Sequence, residues 1–587
     1  MASRDIHGID PPWGDFRHVG RALRKVDGLA KATGAAVYTD DISLPGMLHA
    51  KLLRSPHAHA RILAIDTTRV RQLSGVHGVI TGEDLPVKFG ILPWTQDETA
   101  LAVGKVRHVG EPVAAVAAVD EDTANAALKL IRVEYELLHV YIDPFESLSR
   151  HDPPIHEQHR SGNISKHVHL SFGDVDMALS HADAVVEGDY FFHGTTHAAI
   201  EPHCAVAQYA ADGVLTLWSS TQITHYVHRA LAHVLGLSAH RIRVIQPCLG
   251  GAFGGKSDPF SFEFVTAKLA MLTGRPIKLL YTREEVFYTH RGRHPMHMHY
   301  KTGATRDGRL TGVDATILVD GGAYSSYGLV TTYYAGQLLT GPYDFPTYRF
   351  DSTRVFTNKP TCGPKRGHGS VQPRFAFEVQ LDELAEVLRM DPIEIRRRNL
   401  LGADTTTVNG QRITSNGIAK CLDFVEQASG WTTRRGRLGY GRGLGVAASM
   451  YISGTNYPIY PNPMPQAAVQ LKIDRSGLVT VFSGANDIGQ GSNSIAQYLV
   501  AEELGLALDQ VRVVSADTDL CPVDLGAYSS RETFMVGNAL IDACRKIRPQ
   551  LVQAVAQRWQ VDAARVRFVE GVVIDLEDES RSMSAAE

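Results

Sequence analysis

The spacing of apolar residues predicts alternating helices and strands along the chain. Between Glu121 and Ile131 apolar residues recur at helical spacing, and from 133 to 137 they alternate with polar residues as in a strand. The same succession returns over residues 262–281, where Gly274 stands at the expected helix C-cap and Pro276 precedes another apolar run. The pattern therefore predicts an α+β protein.

Polar, turn-rich connections at residues 152–163 and 409–417 divide this pattern into three units. Because 587 residues exceed what a single hydrophobic core accommodates, several domains are expected. The last domain is expected to be incomplete, since residues 572–574 start another strand shortly before a polar tail. We predict a small N-terminal α/β domain followed by two related α+β domains, with boundaries at 20–150, 165–405 and 430–587.

A glycine-rich stretch from Leu249 to Lys256 lies between a predicted strand and a predicted helix. Four glycines within six residues remove the Cβ atoms that would hold a ligand away, and they allow successive N–H groups to turn towards an anion. Phe253, the bulky residue among them, is suited to cover a flat ligand. The alternative interpretation is a flexible hairpin without a ligand.

The second and third units contain an internal repeat. Gln222 precedes a predicted helix that ends at Leu235, and Gln490 precedes one that ends at Leu504; each helix is followed by a strand with an arginine eight residues after that leucine. Each unit thus places a glutamine at a helix N-terminus, where free N–H groups and the helix dipole favour an acceptor-rich ligand. Either one ligand lies between two related halves, or two common helix–strand units are alike by chance.

Composition narrows the class of protein. The net charge is −4 and basic residues are scattered, so nucleic acid is not an expected partner. Neither an N-terminal signal nor an apolar stretch of about 18 residues is found, which predicts a cytoplasmic protein with no membrane contact. The six cysteines are far apart without a C-x-x-C pair, so any iron–sulfur cluster is expected on another chain.

Five segments share small residues, amide side chains and backbone donors: Thr221-Gln222, Gly250 to Lys256, Arg366 to Gly369, Asp487 to Gly491, and Gly526 to Ser530. In this order they resemble the molybdenum-binding large subunit of the xanthine dehydrogenase, aldehyde oxidase and carbon monoxide dehydrogenase family. The resemblance extends over nearly the whole chain from about Gly20. It implies two molybdopterin-binding domains, a molybdenum–molybdopterin cofactor in its cytosine dinucleotide form, and partner subunits that carry iron–sulfur clusters and FAD.

The resemblance also implies which residues bind the cofactor. Gln222 resembles the glutamine that hydrogen-bonds a molybdenum oxo group, and Arg366 the arginine whose backbone reaches the site. The pterin dithiolene would hold the metal, so no protein metal ligand is expected. The implied cofactor-binding residues are Gln222, Gly251, Ala252, Phe253, Gly254, Arg366, Gly489, Gln490, Tyr528, Ser529 and Ser530.

Details within these motifs bear on the substrate. Gly367 stands where carbon monoxide dehydrogenases carry a cysteine, and Ser257 where xanthine enzymes carry a glutamate, so both activities are disfavoured. The run from Arg366 to Gly369, with its histidine, resembles the α subunit of 4-hydroxybenzoyl-CoA reductase, as do the runs at 528–539 and 321–328. The resemblance implies reductive removal of a phenolic hydroxyl from an aromatic acyl-CoA. The alternatives are oxidation of an aldehyde or N-heterocycle, and a non-catalytic cofactor-binding fragment of a split enzyme.

The expected catalytic glutamate is not assigned to any residue. In the family it lies in a glycine-rich segment near the end of a longer chain, whereas Glu570, Glu577 and Glu579 lack that context. A further C-terminal segment, fused or as a separate chain, is expected to supply it. Glu201 is expected to support other residues rather than to act as the base. His297 and His299 lie on one face of a predicted strand and are expected at the sheet surface.

Overall fold

The computed structural model describes residues 16–150, 152–454, 467–585 and 587. In residues 16–150 the helices are α1 (Gly28–Thr33), α2 (Thr68–Arg71), α3 (Glu121–Leu128) and α4 (Pro144–Ser149). The strands of this N-terminal region are β1 (Leu48–Arg54), β2 (Ala60–Asp66), β3 (Val76–Thr81), β4 (Lys88–Phe89), β5 (Glu98–Thr99), β6 (Lys105–Val106), β7 (Pro112–Ala118) and β8 (Arg132–Leu137).

The second region contains the longest strands. Its strands are β9 (Ile164–Phe172), β10 (Ala184–Phe192), β11 (Cys204–Tyr209), β12 (Leu215–Ser219), β13 (Ile242–Ile245), β14 (Ile277–Leu280), β15 (Met296–Ala304), β16 (Leu310–Asp320), β17 (Tyr348–Val355), β18 (Thr405–Thr406) and β19 (Arg412–Ile413). Its helices are α5 (Val175–Ser180), α6 (Thr224–Leu235), α7 (Ser261–Thr273), α8 (Arg283–Thr289), α9 (Gly328–Gln337), α10 (Val371–Val387), α11 (Pro392–Asn399), α12 (Ile418–Ser429) and α13 (Trp431–Arg434).

The third region is smaller. Its strands are β20 (Val469–Ile473), β21 (Val479–Ser483), β22 (Val511–Ser515), β23 (Val566–Val569), β24 (Val572–Asp575) and β25 (Ser582–Ser584), and its helices are α14 (Ser492–Leu504) and α15 (Gly537–Trp559). Across the described residues, no helix is long and apolar enough to cross a membrane.

A seven-stranded sheet joins the N-terminal region to the second region. Its strand order is β13-β12-β11-β14-β1-β7-β3, and β1 pairs with β14 in parallel, with Leu48 opposite Ile277. Every residue of β7 is buried, as expected for a strand covered on both faces. Helix α7 contributes Val265 and Leu269 to the same core. The apolar pattern within each strand could not indicate this partnership, because the paired strands are far apart in sequence.

A five-stranded sheet, ordered β10-β15-β16-β17-β9, forms the other half of the second region. Its core includes Tyr300 and Phe350 together with Phe377 of α10. His297 and His299 lie on β15, and His299 contacts the carboxylates of Glu187 at 3.3 Å and Asp189 at 2.9 Å. His299 therefore lies at the sheet surface, as predicted, whereas His297 on the same face is half-buried, with ring centroids 4.8 Å from Phe145 and 4.5 Å from Phe191.

The internal repeat is confirmed in three dimensions. In the second region β11 and β12 are antiparallel, α6 follows, and β13 pairs with β12 in parallel; β20, β21, α14 and β22 repeat that order and those directions. Gly236 and Gly505 end the two helices in the left-handed conformation, at φ of 65° and 64°. The ends of β13 and β22 meet, because Gln246 N donates to the carbonyl of Ala516 at 3.0 Å.

Candidate cofactor site

A cavity of about 730 Å³ lies where the second and third regions meet. All eleven residues predicted from the sequence line it. The further residues around it are Leu249, Ser257, Tyr327, Pro364, Lys365, Gly367, His368, Tyr451, Ile488, Ala527, Arg531, Glu532 and Thr533. A cavity of this size suits a large organic ligand.

Gln222 connects the two regions beside this cavity. It lies two residues before the start of α6 and is buried. Its side-chain Nε2 donates to the carbonyl of Ala527, and its Oε1 accepts from Lys256 N at 3.3 Å. The backbone of Gln222 donates to Lys256 O and accepts from Ala527 N, each at 3.0 Å. Its side-chain amide is therefore held in one orientation by both neighbouring loops.

A buried ion pair supports the glycine loop, residues 249–257. Glu201 Oε2 accepts from Gly250 N at 2.9 Å and from Lys256 Nζ at 2.8 Å. Burial lowers the pKa of Lys256, although Glu201 opposes this shift. Glu201 is not among the residues that line the large cavity. Its contacts give it the supporting role expected from the sequence.

Close backbone contacts fix the loop against residues 364–369. Phe253 has a φ of 56°, an unfavourable left-handed conformation for a residue with a side chain, and its carbonyl accepts from Arg366 N at 3.0 Å. Gly254 has a φ of 100°, and a Cβ atom there would collide with the carbonyl of Pro364. The Phe253 side chain stays 47% exposed, so it is available to a ligand in the cavity.

The loop before α14 is closed by its own side chains. Asp487 accepts hydrogen bonds from Gly489 N at 2.9 Å and Asn493 N at 3.1 Å. Gln490 Oε1 accepts from Ile488 N at 2.6 Å, and its Nε2 donates to the carbonyl of Asn486 at 3.0 Å. Gln490 is exposed and lines the cavity, while its amide groups bond within the loop.

The same loop is tied to the second region through Gln246. Asn486 Nδ2 donates to Gln246 Oε1, and Gln246 Nε2 donates to the carbonyl of Asp487, both at 2.6 Å. These bonds set the distance between the two halves of the cavity. The strand pattern placed Gln246 just beyond β13, but its partner lies 240 residues away and left no local signal.

The segment after Gly526 carries local strain. Ser529 and Ser530 have φ of 51° and 50°, and a π-helical turn follows at Glu532–Val536. Arg531 anchors the segment from a fully buried position, because its Nη1 contacts Asp524 Oδ1 at 2.6 Å and donates to Gly526 O at 2.9 Å. Strained backbone of this kind persists only where its surroundings hold it, and it is common at functional sites.

Glu532 is a cavity-lining residue that sequence reasoning missed. It is 8% exposed, and its Oε1 lies 3.8 Å from Nη1 of the neighbouring Arg531. Burial, together with the charge of Asp524, raises its pKa, while Arg531 opposes the shift. The sequence feature that could have indicated Glu532 as a site residue is its position directly after Arg531. No spacing pattern distinguishes it from a glutamate exposed to solvent.

Aromatic rings form another wall of the cavity. The side chain of His368 is half-buried in this wall, and desolvation, together with the charge of Arg293, lowers its pKa to about 3. It is therefore neutral near pH 7, and it bonds the hydroxyl of Thr331. The ring centroids of Tyr327 and His368 lie 6.2 Å apart, and those of Tyr327 and Tyr528 lie 6.5 Å apart. Burial raises the pKa of Tyr528, so its phenol stays protonated.

The fold and this cavity define the class of protein, and comparison with known proteins identifies it. Two sequence models of the molybdopterin cofactor-binding domain match residues 155–400 and 424–587. The model of the aldehyde oxidase and xanthine dehydrogenase a/b hammerhead domain matches residues 33–139. The protein is thus a molybdopterin-binding protein with a small N-terminal domain and two cofactor-binding domains.

More specifically, the chain belongs to the xanthine dehydrogenase and aldehyde oxidase family, as a molybdenum-binding large subunit. It is 35% identical over 570 residues to the putative xanthine dehydrogenase molybdenum-binding subunit of Escherichia coli K12, covering 94% of this chain and 75% of that protein. It is 39% identical over 416 residues to the nicotinate dehydrogenase large molybdopterin subunit of Eubacterium barkeri, covering 70% of this chain and 96% of that protein.

Solved structures have the same architecture. Quinoline 2-oxidoreductase from Pseudomonas putida 86 superimposes with a TM-score of 0.89 at 26% identity, covering 97% of this chain and 75% of that one. The Cu,Mo-CO dehydrogenase superimposes with a TM-score of 0.87 at 26% identity, covering 97% and 77%. Homologues of this chain are molybdenum-dependent oxidoreductases. These relatives are named for xanthine, nicotinate and carbon monoxide, and they show no special closeness to 4-hydroxybenzoyl-CoA reductase.

The residues around the cavity fit a flat, polar cofactor. A Cβ atom at Gly489, whose φ is 103°, would meet no protein atom within 4 Å, so this glycine leaves open space for a ligand beside its backbone. Gln222, with its amide held in one orientation, supplies a polar group at the same cavity. Within the described residues, no group of three or more histidine, cysteine or carboxylate side chains could hold a metal ion.

Proposed function

We propose that the eleven predicted residues hold a molybdenum–molybdopterin cofactor, in its cytosine dinucleotide form, and that the substrate is a flat aromatic ring. The aromatic wall is the observation that carries this proposal. Phe253, Tyr327, Tyr451 and Tyr528 line one cavity, and aromatic side chains favour offset or edge contacts with a planar ligand. When bound, the cofactor supplies the two-electron redox chemistry that side chains lack.

The chain's own residues bind the cofactor and orient the substrate. The fixed amide of Gln222 offers a donor beside the glycine loop, while Phe253 packs against the ring. The neutral imidazole of His368 exchanges hydrogen bonds without adding charge. We propose that iron–sulfur and FAD subunits carry the electrons and that the complex is cytoplasmic. The names of two relatives, a molybdenum-binding subunit and a large molybdopterin subunit, support a multi-subunit assembly.

Two reactions of an aromatic ring are candidates. Oxidation of an N-heterocycle is favoured by relatives named nicotinate dehydrogenase and nicotine 6-hydroxylase, and by the likeness to quinoline 2-oxidoreductase. Reductive dehydroxylation of an aromatic acyl-CoA is favoured by the run from Arg366 to Gly369 and its histidine. Lys365 and Arg366 at the cavity would suit the phosphates of coenzyme A.

The test uses the purified complex. Metal and pterin analysis should find molybdenum and pterin in equal amounts, with cytidine monophosphate released on hydrolysis. Turnover is then measured with nicotinate or quinoline and a dye acceptor, with 4-hydroxybenzoyl-CoA and a low-potential donor, and with an aliphatic aldehyde. We expect turnover of an aromatic substrate. Absence of pterin, or a clear preference for the aliphatic aldehyde, would contradict the proposal.

A further inference from the structure

A second cavity, of about 10 Å³, lies beside the glycine loop and outside the cofactor site. Its walls come from residues 196–203, 252–256 and 286–290 of the second region. The volume is about that of one water-sized probe. Five residues around it carry a buried side-chain atom without a hydrogen-bond partner: Thr196 Oγ1, His197 Nδ1, Glu201 Oε1, His203 Nδ1 and His290 Nδ1.

The protonation of two histidines follows from their other nitrogen. His197 Nε2 lies 2.8 Å from the carbonyl of Pro364, and His203 Nε2 lies 3.0 Å from that of Gly255. A carbonyl oxygen only accepts, so both Nε2 atoms carry the proton. Burial lowers the pKa of each ring to about 3, so both rings are neutral near pH 7. Both Nδ1 atoms therefore present a bare lone pair.

Glu201 adds a third acceptor. Its Oε2 takes the hydrogen bonds from Gly250 N and Lys256 Nζ, while its Oε1 has none. Three acceptors cannot satisfy one another, and the hydroxyl of Thr196 and Nδ1 of the neutral His290 supply at most one proton each, which leaves at least one acceptor unpaired. Buried polar atoms without partners are costly and rare in folded proteins. The cluster therefore calls for a small hydrogen-bond donor.

The choice of donor follows from size and charge. Among the described residues, no group of these side chains has the arrangement of a metal site. A cation would also be repelled by the ammonium of Lys256, which lies 2.8 Å from Glu201. A water molecule donates two hydrogen bonds and accepts two, and it needs two to four polar partners.

We propose that this cavity is a built site for one water molecule, which accepts from the hydroxyl of Thr196 and donates to two of the three acceptors, one of them Glu201 Oε1. His203 bonds the carbonyl of Gly255, and Glu201 bonds both Gly250 and Lys256, so the water completes the support of the glycine loop from behind. Residues of the same loop also line the cofactor cavity. Cofactor binding is not required for this site.

Substitution of Thr196 distinguishes a hydroxyl bonded to water from a hydroxyl without a partner, because the two predict opposite changes in hydrogen-exchange rate. Thr196→Val replaces the hydroxyl by a methyl group of the same shape, and Thr196→Ser is the matched control that keeps the hydroxyl. If water satisfies the hydroxyl, the Val variant loses a hydrogen bond, and amides of residues 249–257 should exchange hydrogen roughly threefold to tenfold faster. If the hydroxyl is unsatisfied, the Val variant should exchange at the wild-type rate or more slowly, which would overturn the proposal.

Two further measurements complete the test. A high-resolution crystal structure should place a water oxygen within 3.2 Å of at least three of the five atoms, within ordinary hydrogen-bond reach; a dry cavity would overturn the proposal. Exchange is also compared in ammonium and sodium chloride at equal ionic strength. Equal rates support water, whereas slower exchange in ammonium would identify an ammonium ion as the occupant and refute the assignment.

Discussion

The buried pair of Asp524 and Arg531 should control the stability of the cofactor-lining segment at 526–531. Both side chains are fully buried, and Arg531 Nη1 lies 2.6 Å from Asp524 Oδ1. Asp524 Oδ1 also accepts from Gly526 N at 2.7 Å. The Asp524→Asn variant retains the shape and one acceptor but leaves the guanidinium without its counter-charge.

The magnitude follows from these contacts. Removing one partner of a buried ion pair costs about 3–5 kcal/mol. The two left-handed serines, Ser529 and Ser530, each add about 1–3 kcal/mol of strain that the pair helps to offset. A loss of about 3 kcal/mol corresponds to local exchange that is on the order of a hundredfold faster.

Hydrogen exchange of the peptide at 526–531, read by mass spectrometry, measures this change. The Arg531→Met variant should show a comparable loss. In the double variant with Asp524→Leu, the loss should be smaller than the sum of the two single losses, because neither member of the pair is left buried without the other. As a control, Asp542→Asn removes an exposed partner of Lys546 on α15 and should change exchange very little. Wild-type exchange in Asp524→Asn, or strictly additive losses, would refute the reasoning.

Two other variants test the site, and a third tests a buried carboxyl group outside it. Gln490→Ala should lower molybdenum and pterin content, since the loop loses hydrogen bonds worth about 1 kcal/mol each; wild-type content would show that the amide does not shape the site. Phe253→Ala should reduce turnover more than cofactor content, because the backbone contacts of the loop remain; equal reductions would make this ring a packing residue only. Burial raises the pKa of Glu98 to about 7, so its protonated form stabilises the fold at low pH, and this contribution is lost as pH rises from about 4.5 through 7. Glu98→Gln should flatten the pH dependence of the free energy of unfolding over that range, by up to about 3 kcal/mol; an unchanged slope in denaturant unfolding measured across that range would contradict it.

Local chemistry made much of the site readable from sequence. Glycines mark places where backbone and ligand come close, and residues such as Gly254 have the positive φ that their sequence context suggests. The repeated order of strands and helices followed from apolar spacing and from the C-cap glycines, since both depend on neighbours a few positions away. The ordered series of motifs indicated the family, and all eleven named positions line one cavity.

The tertiary structure decided what depends on distant partners. Pairing of β1 with β14, the link between Gln246 and Asn486, and the burial of Glu532 all join positions that no local period connects. The Gln490 amide bonds within its own loop, because Ile488 N and the carbonyl of Asn486 lie within its reach once the loop has folded. Glu201 became a support because Lys256 and Gly250 fold onto it. Periodicity shows which face of a helix or strand is apolar. Tertiary packing decides which element covers that face, and it also decides the protonation state of the ionisable side chains buried there.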